Sequence, residues 1–254
     1  MLYTLNMSYN PWHGCHKISA GCVNCYMFRG DERFDRDANT VRKTQAFSLP
    51  IQKKKDGSYK VNGKTTLYTC LTSDFFIEEA DEWRNDVWSM IKERSDCHFF
   101  IITKRINRFL ECIPNDWGLG YDNVTIACTV ENQTQADLRL PLFKEYPIKH
   151  KIIICEPILE KIDLSYYLDQ SIEEVLVGGE SGPNARVCNY DWVLELRTQT
   201  EIHKIDFTFK QTGANFIKQN KNYKIERMNQ LSQAKRANIN TRYRNAEYRN
   251  EDII

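Results

Sequence analysis

Six short apolar runs rich in β-branched and aromatic residues recur along the chain, at 66–71, 98–103, 124–130, 151–155, 174–177 and 206–209. Runs of this length that stay apolar, without alternating, suit strands buried on both faces. Between several of them lie amphipathic stretches. In 79–93, Trp83, Val87, Met90 and Ile91 repeat at helical spacing, and 191–200 reads the same way. Strands that alternate with helices bury both element types best in a parallel sheet with right-handed crossovers, either an open doubly wound sheet or a full or partial barrel. The class is α/β, and we read the architecture as a partial (β/α) barrel. With 254 residues, 41% of them hydrophobic, the chain can enclose one such core.

In parallel folds the functional groups collect at the carboxyl ends of the strands. Here those ends are polar in succession: Ser73 and Asp74, Lys104 and Arg105, Glu131 and Asn132, Glu156, then Gly178, Gly179, Glu180 and Ser181, and finally Lys210 and Gln211. The expectation is one shared active site. Lys104, Arg105 and Lys210 suit a carboxylate or phosphate, whereas Asp74, Glu131, Glu156 and Glu180 accept from hydroxyls or an ammonium. We assign Lys104, Arg105, Glu156 and Lys210 to catalysis. Ser73, Asp74, Glu131, Asn132, Gly178, Gly179, Glu180, Ser181 and Gln211 are assigned to cofactor binding.

Three thiols, Cys15, Cys22 and Cys25, are packed into the run C-H-K-I-S-A-G-C-V-N-C-Y, with Gly21 placed for a sharp turn. Two metal chemistries suit them. A [4Fe–4S] cluster on three thiolates leaves one iron open to the amine and carboxylate of S-adenosylmethionine, whose reductive cleavage yields a 5′-deoxyadenosyl radical. A structural zinc would instead take a fourth ligand from His13 or His16. Cys70, Cys97, Cys112, Cys128, Cys155 and Cys188 lie mostly in apolar runs and read as small buried residues. An odd set of nine cysteines, after a start that lacks a basic and apolar leader pattern, predicts a reducing cytoplasm. No stretch approaches the roughly 20 apolar residues of a membrane helix, so no membrane partner is expected.

The formal net charge of +1 favours no class of partner. Residues 50–65 form a basic, glycine-punctuated loop or hairpin. From 218 onward the chain is a basic extension carrying Lys221, Lys224, Arg227, Lys235, Arg236, Arg242, Arg244 and Arg249. This predicts a body at 1–217 and a tail at 218–254. Both basic segments offer phosphate contacts to a nucleic acid, against a plainer reading as solvated surface.

The blocks N-P-W-H-G-C-H-K-I-S-A-G-C-V-N-C-Y, L-T-S-D-F-F, I-T-K-R, V-E-N-Q, C-E-P-I-L, V-G-G-E-S-G-P-N-A-R and F-K-Q-T-G, in this order, cover roughly residues 9–216. By them the chain is identified as a member of the phage-associated three-cysteine-motif protein family, distantly similar to radical S-adenosylmethionine enzymes. The resemblance implies a radical-SAM-like barrel acting on a nucleoside, nucleic acid or peptide, a flavodoxin or ferredoxin as reductant, and a co-encoded partner protein. The chain departs from the usual radical motif in two ways. Six residues separate Cys15 from Cys22 where three are usual, and Asn24 stands where an aromatic commonly precedes the last cysteine. The G-G-E-S-G turn resembles the element that contacts the cofactor's ammonium in radical enzymes, but it follows a late strand instead of the second. The alternatives are a zinc protein that binds nucleic acid or hydrolyses a substrate, and an interaction protein whose tail recruits a partner.

Overall fold

Successive side chains of a strand point to opposite faces of its sheet, so a run that is apolar throughout must be covered on both sides. The computed structural model, which describes residues 5–243, meets that demand with a curved parallel sheet. In chain order the elements are β1 (Leu5–Tyr9), β2 (Trp12–His13), α1 (Tyr26–Arg33), β3 (Arg42–Lys43), β4 (Thr65–Thr69), α2 (Asp81–Glu93) and β5 (His98–Thr103). Then follow α3 (Phe109–Cys112), β6 (Val124–Thr129), α4 (Gln133–Glu145), β7 (His150–Cys155), β8 (Ile172–Gly178) and β9 (Val187–Asn189). The last are α5 (Tyr190–His203), β10 (Asp206–Gln211), β11 (Asn215–Lys218), β12 (Lys221–Lys224) and α6 (Arg227–Arg236).

Seven strands pair in the order β1-β4-β5-β6-β7-β8-β10, every neighbour parallel. Because sheet order follows chain order, each crossover advances one strand the same way. The result is a half-barrel. Leu67, Phe99, Ile126, Ile153, Val175 and Phe207 face the main core with the helices. Tyr68, Phe100, Ala127, Ile152, Ile154 and Leu176 form a second cluster on the other, concave face. This two-sided burial is why the strands read as continuous apolar runs.

All six expected strands are present, that of 98–103 with the expected bounds. Several elements of the body leave little trace in the sequence pattern, β1 and α4 among them. β1 reads L-N-M-S-Y and lacks an apolar run, while α4 carries Pro141 in its interior and a buried Arg139, which interrupt its apolar spacing. The α/β alternation also lapses once. Between β7 and β8 no helix forms, and Ile158, Ile162, Leu164 and Leu168 of the connecting segment are buried in the main core in its place.

The basic 50–65 segment is a hairpin with an antiparallel bridge between Lys53 and Tyr59. Arg94, whose side chain is fully buried, fastens it by donating to the carbonyls of Pro50 and Val61 while pairing with Asp96. At the other end of the chain, position 217 falls inside β11, which pairs with β9 and β12. α6 then packs beside β10, where the N–H of Thr212 donates to the backbone carbonyl of Gln230. Thr241 bridges antiparallel to Phe207 and so covers part of the outer edge of β10. Arg244 and Arg249 lie outside the described residues. Cys70, Cys97, Cys112, Cys128, Cys155 and Cys188 are all buried. Among the described residues no helix is long and apolar enough to cross a membrane.

Candidate functional site

The polar strand ends are brought to one rim, and three of their charged groups spend their bonding capacity on holding other parts of it. Asp74, past β4, accepts from the N–H of Phe76 (3.0 Å), the hydroxyl of Thr103 (2.8 Å) and the N–H of Lys104 (2.9 Å), and it pairs with Arg105 at 3.5 Å. A carboxylate has about four acceptor sites, so Asp74 is saturated as a strut between the ends of β4 and β5. Arg105 extends this strut to the cysteine loop. Its guanidinium donates to the carbonyl of His16 at 3.0 Å and lies 3.6 Å from the Sγ of Cys15.

Glu131, after β6, is fully buried. Oε1 accepts from the N–H of Gly21 at 2.7 Å, and Oε2 pairs with Arg139 of α4 at 3.0 Å. Burial alone would raise its carboxyl, but hydrogen bonds from Ser19 and Gly21 and the charges of Arg139 and Lys104 outweigh that and hold it below the usual range. Gly21 therefore answers a different need from the sharp turn expected of it. It lies in a short 3-10 turn, and a Cβ there would stand 2.9 Å from the Glu131 carboxyl carbon. Glu180, after β8, is 6% exposed and accepts from Asn24 (2.9 Å) and from the N–H and guanidinium of Arg186. These partners likewise depress its carboxyl against the opposing effect of burial.

Smaller ties complete the attachment. Ser73 Oγ donates to the carbonyl of Gly14 at 2.5 Å, Tyr26 OH to that of Leu71 at 2.5 Å, and Arg29 of α1 to that of Ser181 at 2.8 Å. The segment 14–29 is thus fixed over the ends of β4, β5, β6 and β8. Asn132 is engaged elsewhere, its side chain capping α4 by accepting from the N–H of Gln135.

Across the rim, Glu156 pairs with Lys210 at 3.1 Å and accepts from Gln211 at 2.6 Å, while Gln211 also donates to the carbonyl of Gly179. Gly178 leaves room for the Glu156 carboxyl, which a Cβ would approach to 2.9 Å. Lys104 is half-buried and lies within electrostatic reach of Glu131 and Cys128. Among the described residues its ammonium has no ion-pair or hydrogen-bond partner.

All three loop thiols are free and partly exposed. Burial pushes the Cys15 thiol up to about 11, an effect that the adjacent Arg105 charge partly offsets. Among the described residues, no three His, Cys, Asp or Glu side chains are drawn together closely enough to hold a metal ion. His13 pairs with Asp31 at 2.7 Å, and His16 pairs with Glu79. Sequence reasoning missed Ser19, Asn24, Arg139 and Arg186, the partners of the strand-end carboxylates. The closeness of Glu180 and Arg186 along the chain was the one local signal available for any of them.

Residues 3–245 match the model of a family described as a protein of unknown function, DUF5131. The chain belongs to this family. No curated protein and no solved structure matches it. The DUF5131 match spans the sheet, the cysteine loop and α6 together, so the tethered loop and its rim fall within a single family unit.

Proposed function

We propose that this DUF5131 chain is an iron–sulfur enzyme of the radical S-adenosylmethionine type, with Cys15, Cys22 and Cys25 holding a [4Fe–4S] cluster above the rim. The observation that carries this reading is the tethering of a three-thiol loop to the ends of four parallel strands by buried charged groups. The donor set fits in kind: three soft, unpaired thiols, partly exposed, with a fixed guanidinium beside one of them. When bound, such a cluster supplies the electron that cleaves the sulfonium of S-adenosylmethionine.

The chain's own residues do the rest on this reading. Arg105 offsets the negative charge that gathers on the thiolates and holds the Cys15 backbone segment in place through the carbonyl of His16. Lys104 offers a cation to the cofactor's carboxylate. Glu156, held by Lys210 and Gln211, offers an acceptor to its ammonium or ribose. Asp74, Glu131 and Glu180 act as positioning residues, since their oxygens are already engaged. The wider reading includes a phage-associated cytoplasmic setting, a flavodoxin- or ferredoxin-type reductant and a co-encoded partner.

Anaerobic purification and reconstitution with iron and sulfide test the proposal. The expected result is about four irons per chain, a brown protein, and release of 5′-deoxyadenosine from S-adenosylmethionine under reduction. Alanine at any of the three cysteines should abolish iron binding. A colourless chain carrying one zinc and cleaving no cofactor would overturn it.

A further inference from the structure

Beside the outer end of the sheet lies a groove of about 740 Å³ between the β11–β12 hairpin and α6, distinct from the tethered loop. Its floor is aromatic. Tyr190, Phe209 and Phe216 pack against one another with ring centroids 5.7–6.2 Å apart, and Lys218 Nζ stands 4.8 Å from the Tyr190 centroid. Its walls carry Lys218, Lys224 and Arg236 against a single acid, Glu226, with Lys221 and Arg227 exposed nearby.

Two further features go beyond charge. Tyr223 lines the groove and is 44% exposed, so its ring can take a stacked partner. Asn229, Gln233 and Arg236 follow at helical spacing along one face of α6, all exposed, and the two amide heads make no hydrogen bond among the described residues. An acidic peptide would need the cations alone. A nucleic acid strand uses all three: cations for its phosphates, an aromatic face for a base, and amides for base edges. The groove also borders the rim, because Thr212, which lines it, follows Gln211, the residue that donates to Glu156 there.

We propose that this groove binds single-stranded nucleic acid and delivers it to the rim. The binding rests on the groove itself; its role as the approach of the substrate rests on the radical reading above. Full-length protein would be titrated into fluorescein-labelled single strands of about 12 nucleotides, DNA and RNA, and followed by anisotropy. Binding should weaken with salt. The combined Lys218→Glu, Lys224→Glu and Arg236→Glu variant should bind at least about tenfold more weakly, with the log–log salt slope reduced by about 0.7 for each phosphate that is no longer neutralised. Tyr223→Ala should cost about tenfold at an unchanged slope.

All four side chains are exposed, and thermal melts would confirm that the variants fold. Absence of binding, wild-type affinity in both variants, or equal displacement by polyglutamate of matched charge would overturn the proposal. Iron content and cofactor cleavage, measured on the same proteins, separate the two readings. Lost binding with intact cleavage in the variants supports the groove, and strand binding by a wild-type chain that takes up no iron would leave the groove standing and remove the radical chemistry.

Discussion

His98 sits on β5 with its Nε2 paired to the hydroxyl of Thr125 at 2.9 Å and its ring edge-on to that of His150. It is 1% exposed, and burial, reinforced by the neighbouring His150, pushes its pKa down to about 3. In the unfolded chain a histidine titrates near 6.5, so between these values the unfolded state takes up a proton that the folded state refuses. The resulting stability is complete above pH of about 6.5 and falls as pH drops, by up to about 1.4 kcal/mol per unit. Urea unfolding at pH 7, 6 and 5 should show this loss, and His98→Gln should flatten it. A wild-type stability that stays constant from pH 7 to 5 would contradict this account. The sequence shows His98 at the head of an apolar run, but not that Thr125 and His150 stand beside it, because those neighbours are set by strand register.

At the scale of elements, the loop carrying the cysteines is shaped by what lies under it. Gly21→Ala would place a methyl against the Glu131 carboxyl, which is itself held by Arg139. Overpacking of that kind costs about 1–3 kcal/mol. Gly30, inside α1, has nothing within 4 Å of the site of a Cβ, so Gly30→Ala should stabilise by about 0.5–1 kcal/mol. Chemical denaturation of the two variants gives opposite signs if the loop is seated as described; two equal shifts would contradict it. Strand existence was legible because both faces of the half-barrel are apolar. The rim was legible because parallel strands end together. What could not be read was that Glu131 and Glu180 seat the cysteine loop, since Gly21 and Glu131 are 110 positions apart and Asn24 and Glu180 are 156 apart. Only the fold supplies such pairs.

Among the described residues the main sheet is open with two edges, β1 and β10, and the basic extension secures the second of them. Gln230, Ala234 and Ile239 are buried there, and Arg242 donates to the carbonyl of Phe207 and the hydroxyl of Thr208. The sequence reads this segment as a basic extension, with solvated surface as the plainer reading; its small apolar anchors are too sparse to announce how it packs. Truncation after Lys218 should uncover Phe209 and Phe216, and lower the melting temperature by at least about 10 °C, taking each kcal/mol lost as about 2–4 °C. A truncated chain that melts with the full-length protein would show the extension to be dispensable for stability.

The long reach of the loop's anchors also fixes an order of events at birth. The three thiols precede Arg105, Glu131 and Glu180, which seat them, by about 80 to 165 positions, and so leave the ribosome well before them. Domains take shape as units during synthesis, and pairings between distant positions form late. A nascent chain therefore displays its three loop thiols well before it owns the platform that orders them, and the loop settles after β8 has joined the sheet.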